Sequence, residues 1–382
     1  MKIKSILLLA LVALSVMTGY AQKVKAEPKD EKAAVVYFCS EITPENILKL
    51  YNALGVDPKG NIGLKVHFGE PGNQNFLNPD LLKPLVEKVK PTFVESNVVY
   101  VGPRRHTDTH IEVAKEHGFT FAPIDIQDAD GETVFKGDKN FKHCKTVRVG
   151  SHFGNYDSYI IYSHFKGHGS SGFGGAIKNV GMGMASPGGK MAIHSNIYPV
   201  VTDSKKCLKC NRCSQNCPGN AITITENGPV MDTTKCLGCA KCLAECPLQL
   251  FQQNHANYTE LAFLEKLVEY AKVMKDQKPM YYINVMANIS SLCDCAVHAP
   301  KPFVGDVGAV ASLDIVAIDQ ACHDLVSMAA GEKETFKKIN HVDAQAQLDY
   351  AEKLGMGTTK YILIDVATGK QITLEEAIAQ RK

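Results

Sequence analysis

Short apolar runs alternate with stretches of helical periodicity along most of this chain. Residues 33–39 read as a strand, and Thr43-Pro44-Glu45 supplies an N-cap and a first-turn proline for a helix running to about Leu54. Residues 62–68 form the next strand, and Asn78-Pro79-Asp80 caps a helix ending near Val89. A strand over 93–100, a helix over 106–117 closed by Gly118, and a strand over 121–126 follow. Residues 159–165 read as a buried strand, then a glycine-rich turn and a helix from about Gly174 to Met182. After an interruption at 203–249 the pattern resumes. Residues 258–274 place Leu261, Leu264, Leu267, Val268 and Ala271 on one helix face, 280–286 and 361–366 read as strands, and 314–330 as a helix. This alternation predicts an α/β fold: a mostly parallel sheet with helices on both faces, built from 34–202 and 250–366 as two segments of one domain. Residues 203–249 are then an inserted α+β domain, and 367–382 a C-terminal tail.

The first residues follow a different pattern. Lys2 and Lys4 precede an apolar run over 6–16, and Gly19 and Ala21 put small residues at the −3 and −1 positions of a cleavage site before Gln22. These are the three parts of a secretory signal peptide, residues 1–21, followed by a charged linker over 22–33. The apolar run is shorter than the roughly 20 residues of a membrane-spanning helix. The expectation is a periplasmic or secreted protein without a stable membrane span, or a cytoplasmic one if the leader is not used. A hydrophobic share of 45% with 21% charged residues excludes disorder as the main state. The formal net charge is +2, which leaves no global field for nucleic acid, and none is expected as a partner.

Cysteine usage explains the interruption. Of 13 cysteines, eight fall between Cys207 and Cys246. Cys207-x2-Cys210-x2-Cys213-x3-Cys217-Pro218 is repeated as Cys236-x2-Cys239-x2-Cys242-x3-Cys246-Pro247. This is the spacing of bacterial two-cluster ferredoxins: three close thiolates wrap one corner of a [4Fe-4S] cubane, and the fourth cysteine reaches the other cluster. It predicts Cys207, Cys210, Cys213 and Cys246 on one cluster, and Cys236, Cys239, Cys242 and Cys217 on the second. Zinc and disulfides fit this string poorly. The motif predicts electron transfer with a redox partner it does not identify.

The 45 residues from 158 to 202 contain no Asp or Glu, but hold nine glycines, Lys166, Lys178, Lys190, His164, His168 and His194. Gly167-His-Gly169-Ser-Ser-Gly172 matches G-x-G-x-x-G between a strand and a helix, but the acidic residue a dinucleotide site needs is missing. An anionic small molecule is the expected ligand, held by glycine-flanked backbone N–H groups around Gly172, Gly174 and Gly175, with Lys178 and Asn179 on the helix; a tight packing turn is the alternative. Lys65 and His67 follow a strand and line the crevice if the sheet is parallel, or else form a solvated strand end. Cys293-Asp294-Cys295 with His298 is a candidate for a further metal ion, although structural or free thiols also fit, and a C-x-C pair is close for an easy disulfide. Arg104-Arg105-His106 reads first as a solvated helix start, and second as an anion clamp.

Several of these strings together resemble a known family. His164-Phe-Lys-Gly-His168, the run Gly172-Phe-Gly-Gly-Ala-Ile-Lys178-Asn179, the double cysteine motif, Cys293-Asp-Cys295, Asp306-Val-Gly308 and the run from Ser312 to Asp319 are similar to domain-of-unknown-function family 362. The resemblance covers about residues 34–366. It implies an iron–sulfur protein with one α/β domain and an insertion, and it implies no substrate. The expected function is a ferredoxin-coupled oxidoreductase, with electrons delivered to a crevice lined by Lys65, His67, His164, His168, Lys178 and Asn179. A non-enzymatic electron carrier and a metal-handling or maturation protein are the alternatives. The leader carries no twin-Arg pair, so either clusters form after export or the leader is not used.

Overall fold

A computed structural model describes residues 33–256 and 258–381; the signal peptide expected over 1–21 lies outside the described residues. In chain order the strands are β1 (Ala34–Cys39), β2 (Ile62–Lys65), β3 (Thr92–Glu95), β4 (Ile124–Ile126), β5 (Glu132–Lys136), β6 (Thr146–Gly150), β7 (Ser158–His164), β8 (Lys166–His168) and β9 (Gly172–Gly174). They continue as β10 (Val200–Val201), β11 (Ile222–Thr225), β12 (Gly228–Met231), β13 (Phe251–Gln252), β14 (Met280–Met286), β15 (Gly308–Ser312), β16 (Tyr361–Asp365) and β17 (Gln371–Ile372). The helices are α1 (Pro44–Ala53), α2 (Lys83–Val89), α3 (Thr107–Glu116), α4 (Ala176–Gly181), α5 (Pro187–His194) and α6 (Arg212–Gln215). After them come α7 (Lys241–Glu245), α8 (Glu260–Gln277), α9 (Ile315–Ala329), α10 (Thr335–Asn340), α11 (Gln345–Lys353) and α12 (Leu374–Ala379).

Nine strands form one sheet in the order β17-β16-β1-β15-β14-β7-β2-β3-β4. The run β14-β7-β2-β3-β4 is parallel throughout, as is β16 against β1. Strands from both sides of the cysteine segment therefore lie side by side: β7 pairs with β14 from Met280↔Tyr159 to Val285↔His164.

The alternation of side chains along each strand divides the interior into two cores. On β7, Tyr159 and Ile161 join one core, while Ile160 and Tyr162 join the other. The first core packs against α4, α8, α9 and α11; the second packs against α1, α2 and α3. This is the α/β class with helices on both faces. Each fully buried large side chain, such as Tyr159 or Phe165, contributes about 1.5–3 kcal/mol of transfer free energy. Local signals act as expected at several helix starts. Thr43 Oγ1 accepts the Asn46 N–H at 3.2 Å ahead of Pro44, and Asp314 accepts the N–H groups of Val316 and Ala317, both at 2.9 Å.

Three features depart from the pattern reading. Strand β15 runs antiparallel between β1 and β14, in the middle of the sheet. Its small residues, Gly308-Ala309-Val310-Ala311-Ser312, carry little strand propensity, yet small size is what its place requires: a Cβ on Gly308 would collide with the Cys39 carbonyl. The stretch read as a tail after residue 366 carries β17, which pairs with β16, and α12, whose Thr373 and Glu376 form a capping box. Residues 132–150 form a β5–β6 hairpin that the pattern did not announce.

Candidate functional site

The carboxyl ends of the adjacent parallel strands β7, β2 and β3 open onto a cavity of about 120 Å³. This is where an open parallel sheet places ligands, because the loops leaving neighbouring strands diverge there. The β2 end supplies His67, the β3 end Glu95 and the loop to Arg104, and the β7 end Ser163 and His164. Gly174, Gly175, Lys178 and Asn179 enter from β9 and α4, and Lys190 and His194 from α5.

Positive charge dominates the lining, with Arg104, Lys166, Lys178 and Lys190 against Glu95. Arg104, read first as a solvated helix start, is 1% exposed. Its Nε donates to Glu70 Oε2 at 2.7 Å, its Nη1 to Glu95 Oε2 at 3.3 Å, and its Nη2 to the Tyr100 hydroxyl at 2.6 Å. Burial alone would raise the Glu95 carboxyl, but the basic groups around it, His67 first and then Lys65 and Arg104, with a hydrogen bond to His110, outweigh it and hold Glu95 well below the usual range. Burial pushes the Lys178 ammonium down to about 7, with Lys166 adding to the effect. It also pushes Lys190 down to about 8 and lowers His67 and His168 well below an ordinary histidine.

The candidate residues do not all do what their positions suggested. Lys65 is no solvated strand end: it is buried behind the cavity, donating to Val66 O at 2.6 Å and Asn179 Oδ1 at 2.9 Å. Asn179 spends its amide on Tyr162 O and Ser163 Oγ, so it braces β7 against α4. Both ring nitrogens of His164 are engaged, Nδ1 with Asp294 at 2.9 Å and Nε2 with Ala287 O at 2.6 Å, which leaves neither free to take a proton in the cavity. Asp306, in one of the strings shared with the family, is exposed and accepts the Asn288 N–H at 2.9 Å.

The glycine loop is corrected most. The first free N–H groups of α4, expected to cradle an external anion, are taken by the protein's own carboxylate. Asp319 accepts Ala176 N–H at 2.7 Å and Ile177 N–H at 2.9 Å. Gly175 is needed because a Cβ there would collide with that carboxylate. Gly172, at φ +73°, packs against Ala344 away from the cavity. An anion in the cavity would meet side-chain cations rather than these backbone N–H groups. Lys166, Lys190 and His194 were visible in the acid-free stretch; Glu95, Tyr100 and Gln253, which also line the cavity, gave no such signal.

The cysteine segment forms two hollows. One is lined by Cys207, Cys210, Cys213 and Cys246, the other by Cys217, Cys236, Cys239 and Cys242. Each hollow has the four thiols a [4Fe-4S] cubane requires, and the fourth cysteine of each run sits with the other run's three. The halves repeat in detail. Asn211 and Ala240, at φ 61° and 60°, start α6 and α7, and Cys217 Sγ and Cys246 Sγ accept backbone N–H groups from Ala221 and Leu250, four residues on in each case. Cys213 and Cys242 belong to one apolar cluster with Met191 of α5 and with Val99, which lines the basic cavity.

Cys293 and Cys295 are joined as a disulfide, against the expectation that a C-x-C pair resists one. The turn at Asp294 brings their Cα atoms to 5.3 Å, within the ordinary disulfide range. His298, expected beside them, is exposed; His168 stands there instead. The ligand atoms of His168, Cys293 and Cys295 lie within 4.8 Å of one another and form a candidate metal site. No helix among the described residues is long and apolar enough to cross a membrane.

Fold and site define a cysteine-rich α/β protein with a basic cavity at the strand ends and a candidate metal site in its wall. The chain belongs to the family described as Domain of unknown function (DUF362), whose model matches residues 62–324. No curated protein matches it. Among solved structures it is similar to the lactate racemase apoprotein from Thermoanaerobacterium thermosaccharolyticum, at 13% identity and a TM-score of 0.33. That likeness covers 68% of this chain, which spans about half (52%) of the length of the racemase.

Proposed function

We propose that this protein is an iron–sulfur oxidoreductase. Two [4Fe-4S] clusters, bound in the arrangement given above, pass electrons to an anionic small molecule held in the basic cavity. The observation that carries the reading is the apolar cluster of Cys213, Cys242, Met191 and Val99, which links both cysteine hollows to the cavity wall. The segment also presents an outer edge, with Cys210 exposed and Leu208 at 67% exposure, where a redox partner can dock. A pure carrier needs that outer edge only and gives the buried cations no task. In the cavity, Lys178 and Lys166 attract the anion's charge, Arg104 and Glu95 fix the wall, and a lining histidine, His67, His168 or His194, exchanges a proton with the ligand.

The test is anaerobic isolation with metal and small-molecule analysis. About eight irons and eight sulfides per chain, with an anion lost in Lys178→Ala, support the reading. A protein that carries no iron–sulfur cluster after reconstitution overturns it. Residues 1–21 belong to the same proposal as a cleaved export signal, and protein beginning at Gln22 in a periplasmic fraction is the expected result.

A further inference from the structure

His168 and the Cys293–Cys295 pair lie far apart in sequence and meet in one wall of the basic cavity, where both His168 and Cys295 line the space. Their surroundings hold them in place. Cys293 is 4% exposed. Asp294, between the two cysteines, is buried, and its carboxylate is held by His164 at 2.9 Å and Lys166 at 3.1 Å. The two sulfurs are therefore presented by a pinned turn. On the histidine, Nδ1 accepts the backbone N–H groups of Ser170 and Ser171 at 3.2 and 3.1 Å, and Ser171 Oγ, 2.9 Å from it, donates to Phe173 O at 2.6 Å. These contacts fix the ring; Nε2 makes no hydrogen bond among the described residues, and it becomes a ligand when the ring proton passes to Nδ1, where Ser171 Oγ accepts it.

We propose that the reduced protein binds one divalent cation of the zinc class through His168, Cys293 and Cys295, with the fourth coordination position open to the basic cavity. Two thiolates and an imidazole suit a borderline-soft ion, and the thiolates neutralise its two charges. Three protein ligands and an open position are the pattern of a reactive zinc rather than a structural one. The open position faces a cavity that also holds Lys178, so an anionic fourth ligand is favoured.

The disulfide must first open. A phosphine and one water convert the S–S bond to two thiols: the phosphine gives two electrons and becomes its oxide, and the water supplies the oxygen and both protons. Zinc then displaces the two thiol protons. The site does not depend on the iron–sulfur reading. Iron content decides that reading, and the zinc gained on reduction decides this one.

The experiment uses the anaerobic protein with its clusters intact, treated or not with a water-soluble phosphine, exposed to zinc chloride and desalted. Iron and zinc are measured together. The expected result is one additional zinc in the reduced protein, absent without reduction, and lost in Cys295→Ser and His168→Gln while iron stays constant. Zinc-edge X-ray absorption then reads two sulfurs and one ring nitrogen. No zinc gained by the reduced wild-type protein, or an equal gain in both variants, overturns the proposal and leaves the pair as a disulfide. The comparison of reduced and unreduced wild type needs no substitution, so a variant that fails to fold does not blunt the test.

Discussion

Gly175 leaves room for Asp319, which caps α4 from a helix elsewhere in the chain. The carboxylate accepts the Ala176 and Ile177 N–H groups and also the Asn284 amide, at 2.7 Å. A methyl group at Gly175 would displace it, leaving a buried charge and helix donors unpaired. Gly175→Ala is expected to cost about 2–3 kcal/mol. At Gly174 the nearest atom to an added Cβ is Lys178 Cδ at 3.2 Å, part of a flexible side chain, so Gly174→Ala should cost under about 1 kcal/mol. Denaturant unfolding of the two variants side by side checks this, and equal losses would refute the role given to Asp319.

Arg104 and Glu95 form the charged spine of the cavity. Removing one partner of a buried pair leaves the other uncompensated, so Arg104→Met should destabilise by about 3–5 kcal/mol. Glu95 has a folded value well below its ordinary 4.5. A depressed carboxylate contributes stability that is complete above the unfolded value and disappears as pH falls through the folded one. Glu95→Gln is therefore expected to flatten the acid limb of the stability profile, measured as the unfolding midpoint from neutral pH downward.

The same residues show what the sequence could and could not reveal. The parallel strands, the α9 helix itself, the crevice positions of His67 and Lys178 and the grouping of the cysteines all rest on local spacing, which one chain displays directly. Arg104 was misread because its partners, Glu70 and Glu95, are placed by tertiary packing, and nothing beside Arg104 in sequence signals burial. Asp319 caps a helix 143 residues away, so the glycine loop looked like an anion cradle while its anion was hidden. His298 is near Cys293 and Cys295 in sequence, but it is exposed, and their spatial neighbour is His168, distant in sequence. Strand β15 escaped because its place in the sheet selects small residues, which periodicity does not register.

Anion binding in the cavity should depend on pH. Burial holds Lys65 and Lys178 at about 7 and Lys190 at about 8, against an ordinary 10.5. Lys178 feels Lys166, Lys65 and Arg104, which favour its neutral form, and Asp294, which opposes them. Below these values the lysines are cations; above them the field weakens. The Kd for sulfate, which does not titrate in this range, is expected to rise by about tenfold from about pH 6 to about pH 9. An anion that prefers the ammonium forms raises their values, so binding above about pH 7 should take up protons, detectable by calorimetry in buffers of different ionisation enthalpy. Lys178→Met should bind sulfate more weakly at the lower pH and lose part of the pH dependence, Lys190 keeping the rest; an unchanged profile would locate the anion elsewhere.

The interleaving of the cysteines makes a prediction that sequence neighbours and spatial neighbours answer differently. Cys217 stands four residues after Cys213, yet lines the hollow of Cys236, Cys239 and Cys242, while Cys213 shares its hollow with Cys246. Pairing Cys217→Ser with Cys236→Ser should empty one hollow and leave the other, so about four of about eight irons are retained after reconstitution. Pairing Cys217→Ser with Cys213→Ser removes one ligand from each cluster and should cost both. If the neighbours in sequence shared a cluster, the two double variants would exchange outcomes. Iron content with the electron spin resonance of the reduced protein separates the cases, since one surviving cluster gives a simple signal and two give an interacting one. The Cys213→Ser change also alters the apolar cluster that includes Val99 and Met191, so its effect on the cavity should exceed that of Cys210→Ser, whose side chain is exposed at the outer edge. A sulfate affinity that falls in Cys213→Ser and holds in Cys210→Ser would tie the inner side of the cluster segment to the cavity wall.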